Sequence, residues 1–106
     1  MPREKFQTLT EQMFYILLCL RTECCGMDMM RRVDEMTGGR VSVGPGTLYN
    51  LLDQFSAAGM IRETGVEGRR RSYLLTKKGS QALQKEYERL CRMTEDFNRV
   101  MEGGEQ

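Results

Sequence analysis

Eight consecutive apolar residues, Met13-Phe14-Tyr15-Ile16-Leu17-Leu18-Cys19-Leu20, follow a helix-start signal in a chain of only 106 residues. Thr8 and Glu11 have capping-box spacing, and Thr10 is a second candidate cap. The helix this predicts is apolar on every side, and a domain this small has too little core to cover its whole circumference. Its far face is therefore expected to pack against a partner chain. The run is also far short of the roughly 18 residues that span a bilayer, so no membrane association is expected. The preceding Met1-Pro2-Arg3-Glu4-Lys5 is charged and leads into no secretory segment, which predicts a cytoplasmic protein.

Downstream, the pattern predicts short elements in a fixed order. A second helix runs from about Met27 to Thr37, with Met29, Met30, Val33, Met36 and Thr37 on one face, and Gly38-Gly39 ends it. Arg40-Val41-Ser42-Val43 alternates like a short strand. Gly44-Pro45-Gly46-Thr47 then opens a third helix whose Leu48, Leu51, Leu52 and Phe55 fall at i, i+3, i+4 and i+7, a buried stripe. Gly59 closes it. Met60 to Val66 reads as a strand, Glu67-Gly68 as a tight turn and Arg69 to Leu75 as the returning strand. Thr76 caps a long final helix. Its positions Leu83, Tyr87, Leu90, Thr94, Phe97 and Met101 step by fours and threes, a heptad-type seam. Gly103-Gly104-Glu105-Gln106 should fray.

Helix, helix, short strand, helix, hairpin, helix is the order of a winged helix-turn-helix: mainly α with a small β-hairpin, an α+β fold with a long C-terminal helix for dimerisation. Residues 1–79 are then expected to form the winged helix-turn-helix DNA-binding unit, and residues 80–106 a C-terminal dimerisation helix packed on the same domain, its heptad-type seam free for a partner. In such a fold the second helix braces the third, whose exposed side enters the major groove, while the hairpin tip reaches adjacent phosphates.

Charge supports that reading only once it is localised. Sixteen basic residues against fifteen acidic ones leave a net charge of +1. Yet from Arg40 to Lys78 seven basic residues face three acids, and from Gly79 onward four face six. A basic reading half and an acidic tail hide behind the neutral total, and phosphate affinity follows the local charge. Arg69-Arg70-Arg71 beside the hairpin turn are the candidate wing cations, although charge runs often form only a solvated surface. Pro45 and Gly46 shape the entry of the third helix. Thr47 either caps that helix or donates to a phosphate, and Tyr49 either packs toward the second helix or does the same. Asn50 and Gln54 are the candidates for base edges, because planar amides pair bidentately with adenine.

Enzymatic chemistry has little support. Histidine is absent, Gly44-x-Gly46 lacks the further glycine of a dinucleotide fingerprint, and Cys91 has no identifiable base. Cys19 and Cys91 sit in apolar helical settings and Cys24-Cys25 are adjacent, so the cysteines read as free thiols rather than a disulfide framework or a metal site. No cofactor is expected. The competing reading is a winged-helix protein-interaction module that pairs through its long helix without specific DNA binding.

Leu9-Thr10-Glu11, Gly26, Arg32-Val33, Gly44-Pro45-Gly46-Thr47-Leu48-Tyr49 with Leu52, Gly59 with Ile61, and Tyr73-Leu74-Leu75-Thr76-Lys77-Lys78-Gly79 resemble the PadR family of transcriptional regulators, in its short-tailed form. The resemblance covers about residues 8 to 100. Ser72 and Leu74 depart from it, where many relatives place an aromatic and a polar residue. It implies a homodimeric repressor whose third helix and wing sit on a palindromic double-stranded operator. It also implies that the final helix packs on the partner, including the partner's first helix. Phe14 and Leu17 would then join the seam of Leu83, Tyr87, Leu90, Thr94, Phe97 and Met101. Some relatives bind flat aromatic or cationic compounds at the dimer interface. Met13, Tyr15 and Phe97, with Phe14, Tyr87 and Met101 nearby, are the candidate lining for a small apolar or aromatic effector, although such residues are more often plain core.

Overall fold

Thr10 is the cap that starts the first helix: its side-chain oxygen accepts the Met13 N–H at 3.2 Å. The computed structural model describes residues 8–103, so the charged start at Met1–Lys5 and the end at Gly104–Gln106 lie outside the described residues. The elements in chain order are α1 (Glu11–Cys19), β1 (Cys24–Cys25), α2 (Gly26–Met36), α3 (Pro45–Ala57), β2 (Ile61–Glu67), β3 (Arg70–Leu75) and α4 (Lys77–Gly103). Four helices and a small antiparallel sheet make the expected α+β winged-helix architecture. No helix among the described residues is long and apolar enough to cross a membrane.

The α3 stripe packs as its spacing predicts. Leu48, Leu51, Leu52 and Phe55 are buried together with Met29 and Val33 of α2 and Ile16, Leu17 and Leu20 at α1. Each such side chain contributes about 1.5–3 kcal/mol when fully buried. Met36 departs from its expected inward face and is 47% exposed, because the last turn of α2 runs past the edge of this core.

The sheet corrects one expectation. No strand forms at Arg40–Val43. Val41 and Val43 do point inward, but the Thr37 hydroxyl accepts the Val41 N–H at 3.1 Å and donates to the Val33 carbonyl at 2.8 Å. That holds the segment as a loop on the end of α2. The third strand is instead Cys24–Cys25, which pairs with Tyr73 and Ser72, giving the order β1-β3-β2. The hairpin closes one residue later than expected. Glu67 lies opposite Arg70, so Gly68 and Arg69 form the tip, with Gly68 at φ 63°. Between the pairs Glu63–Tyr73 and Gly65–Ser72, Thr64 is an extra residue that bulges β2.

α4 is locked to the body at its start. Thr76 donates its hydroxyl to the Gly59 carbonyl at 2.6 Å and accepts the Gly79 N–H at 3.1 Å. Gly79 then lies so close to Met60 that a Cβ there would overlap the Met60 carbonyl oxygen. After Gly79, Leu83 and Glu86 the helix buries nothing further and leaves the body. At 27 residues it is about 40 Å long, which accounts for much of the molecule's 58 Å long dimension.

Two residues expected at a dimer contact belong to this chain's own interior. Leu17 is 0% exposed and Leu83 only 9%. The all-round apolar character of α1 has the same cause. α2 and α4 both pack on it, Ile16, Leu17 and Leu20 are wholly buried, and Met13, Phe14, Tyr15 and Leu18 are half-buried against the same core.

Candidate nucleic-acid interface

The outer surface of α3 follows from its inner one. With Leu48, Leu51 and Leu52 fixed inward, helical geometry leaves Pro45, Gly46, Thr47, Tyr49, Asn50 and Asp53 exposed and Gln54 half-buried. The helix enters through Gly44 in extended backbone, with Pro45 in the first turn and no side chain capping it. Thr47 is therefore not the cap, and its hydroxyl belongs to the exposed face. Tyr49 turns toward α2. A Cβ on Gly26 would fall 2.5 Å from the Tyr49 hydroxyl oxygen and 3.0 Å from Cζ, yet the side chain stays 44% exposed.

The three wing arginines are exposed but not equivalent. Arg71 reaches Glu63 across the hairpin at 3.3 Å. Among the described residues, Arg69 and Arg70 have no carboxylate within ion-pair distance. Arg70 borders a polar cleft of about 350 Å³ between the hairpin and the start of α2, whose acidic lining comes from Glu23, Asp28 and Glu67. Arg40, counted in the basic half, is turned elsewhere. Its guanidinium pairs with Glu11 at 2.5 Å, donates to the Tyr15 hydroxyl at 2.9 Å and stacks 5.9 Å from that ring. These contacts hold its pKa above the usual guanidinium value. Arg40 fastens the α2–α3 loop to α1.

A model of the transcriptional regulator PadR-like family matches residues 16–85, about two thirds of the chain, spanning α2, α3, the hairpin and the start of α4. The chain belongs to the PadR-like family. No curated protein matches it in sequence. Among solved structures, H. salinarum RosR is 27% identical with a TM-score of 0.69, the match covering 80% of this chain and 76% of that one. A PadR-like transcription factor from B. fragilis is 26% identical with a TM-score of 0.71, covering 83% and 87%. Bacillus subtilis PadR, solved in complex with operator DNA, is 26% identical with a TM-score of 0.63, covering 73% of this chain and 46% of that protein.

In this PadR-like chain the remaining seam residues lie in the open. Tyr87, Phe97 and Met101 are more than half exposed, and Leu90 and Thr94 are exposed as well, joined by Met93 and Val100. The expected effector lining is not assembled within one chain. Tyr15 is engaged by Arg40, and Phe97 lies fourteen residues beyond Leu83, about 21 Å along α4. An apolar cavity of about 300 Å³ is lined by Phe14, Leu18, Leu75, Leu83 and Tyr87, with Arg21 at its polar edge.

The thiols are all free, with Cys19, Cys24 and Cys25 buried. Burial pushes the Cys24 thiol up to about 11 against the opposing pull of Arg32, so it keeps its proton at neutral pH. Two contacts escaped the sequence reading. Gly26, against which Tyr49 packs, stood in the motif without a role, and Glu86 was counted only among the six acids from Gly79 onward. Only the burial of a glutamate distinguishes it, and no local pattern signals that.

Proposed function

We propose that the protein is a sequence-specific DNA-binding transcriptional regulator that acts in the cytoplasm, as a homodimer, on a palindromic operator. The observation that carries this reading is the exposed edge of α3, from Pro45 to Gln54, held rigid by its buried opposite edge and set beside a wing whose Arg69 and Arg70 have no carboxylate partner among the described residues. Thr47, Tyr49, Arg69 and Arg70 contact phosphates and fix the register, while Asn50 and Gln54 read base edges in the major groove. The solved operator complex of B. subtilis PadR supports the DNA partner. Where the operator overlaps a promoter, the bound protein obstructs transcription, which is the proposed repressor role, with no catalytic step.

The exposed seam of α4 supports the dimer. A helix that projects with Tyr87, Leu90, Phe97 and Met101 uncovered buries them against a second copy, with Phe14 at the same contact. Two winged helices related by a two-fold axis then address half-sites about one helical turn, roughly 34 Å, apart. In this reading a small apolar or aromatic effector fits the cavity of Phe14, Leu18, Leu83 and Tyr87.

Selection of bound sequences from a random duplex pool at near-physiological salt tests the proposal. Enrichment of an inverted repeat with half-sites one turn apart is the expected result. Recovery of no preferred sequence, with association still driven by the α4 seam, would replace it with an interaction module that does not read DNA.

A further inference from the structure

We propose that Gly26 is a positioning residue for DNA recognition, acting through the Tyr49 ring that occupies the space a side chain at residue 26 would take. The inference rests on the DNA-binding reading of α3. Gly26 opens α2 directly after β1 and is buried. Backbone conformation does not explain a glycine there: unlike Gly38, Gly39, Gly59 and Gly68, it does not have a positive φ. Capping does not explain it either, since the N-cap of α2 is Cys25 and Gly26 is the first helical residue. Space does explain it. A Cβ would approach Tyr49 Oη to 2.5 Å, Cζ to 3.0 Å and Cε1 to 3.1 Å, closer than packed atoms tolerate.

The consequence is directional. Tyr49 is 44% exposed, so its ring has open solvent to swing into, and a side chain at residue 26 would push it there from the seat it now occupies against α2. The contact places the hydroxyl of an α3 residue against the start of α2, directly after β1. A phenol fixed there donates one hydrogen bond in a set direction, whereas a freely rotating phenol loses that preorganisation. Through that seat the bracing helix α2 sets the direction of one phosphate-directed group on α3.

The test is a double-mutant cycle on the dimeric protein, using a duplex recovered by the selection above. Gly26→Ala and Tyr49→Ala should each weaken binding by about tenfold, the scale of one hydrogen bond to a charged group. Adding Gly26→Ala to Tyr49→Ala should cost nothing more. Thermal melting of Gly26→Ala should match or exceed the parent, because only a ring has moved. Equal affinity of Gly26→Ala and the parent, or independent losses that multiply in the double variant, would overturn the inference while leaving the DNA-binding reading intact. Unchanged affinity of Tyr49→Ala would overturn it even if Gly26→Ala failed to fold. A parent protein that binds no duplex would remove both.

Discussion

Glu86 on α4 accepts the backbone N–H of Leu9 at 3.3 Å and grips the Arg89 guanidinium through both oxygens, at 2.8 and 2.6 Å. Its side chain is 3% exposed, the one charged residue buried among the described residues. The carboxylate ties the segment entering α1 to the middle of α4, just where the long helix leaves the body.

The Arg89 hydrogen bonds hold the Glu86 carboxyl below the usual glutamate range, against the opposing effect of burial. A carboxylate whose folded pKa is depressed stabilises the fold above its unfolded pKa, about 4.3, and that contribution disappears as pH falls through the folded value. Melts stepped from neutral pH to about pH 3 should therefore show a loss of stability that is smaller in Glu86→Gln. At neutral pH the substitution should cost about 1.5 kcal/mol, the low end for hydrogen bonds to a charge because Arg89 is 36% exposed. A pH profile identical to the parent's would show that Glu86 does not titrate with folding.

Gly79 and Gly46 should respond oppositely to alanine. At Gly79 the new Cβ meets backbone, the Met60 carbonyl, and presses within 2.9 Å of Leu75 Cδ2. The joint must open, at a cost of about 1–3 kcal/mol, and thermal melting should drop. At Gly46 nothing lies within 4 Å. Gly46→Ala should therefore leave melting equal or higher and, with its methyl on the face proposed to meet DNA, weaken duplex binding.

Arg70→Ala and Arg71→Ala should separate on a salt titration. Arg70 lacks a carboxylate partner among the described residues, while Arg71 already pairs with Glu63 at 3.3 Å. Losing Arg70 should reduce the slope of log affinity against log salt by about 0.9 per phosphate contact, similarly for all duplexes. Arg71→Ala should reduce it less. Asn50→Ala should instead lower the ratio of specific to nonspecific affinity, and a uniform loss would move Asn50 from reading bases to positioning.

Leu90→Asp places a charge in the middle of the uncovered seam, where Leu90 is 37% exposed in the single chain. The fold should survive, since Leu90 contributes nothing to the core, while sedimentation should report monomers and operator affinity should fall with dimerisation. A stable dimer in this variant would place the interface elsewhere.

The sequence by itself determined what local periodicity can encode. The Leu48–Phe55 stripe placed α3 and, by subtraction, its exposed edge. Thr76 announced the α4 cap, and the fours and threes from Tyr87 to Met101 marked the row of side chains that α4 leaves exposed. Each of these depends on residues within a few positions of one another, where helical geometry fixes which side chains share a face. The tertiary structure alone decided the rest. A strand of two cysteines has no period to read, and it exists because β3 offers it partners at Tyr73 and Ser72. Val41 and Val43 alternate as a strand would, but Thr37 closes them onto α2. Leu17 and Leu83 bear the same apolar chemistry as Phe14 and Tyr87, and only the packing of α1 against α2 and α4 made the first pair core while leaving Phe14 half-buried and Tyr87 exposed. The roles of Gly26 and Glu86 join residues 23 and 77 positions apart in sequence, to Tyr49 and to Leu9. Such contacts form because the folded chain brings distant surfaces together, which no window of neighbouring residues records.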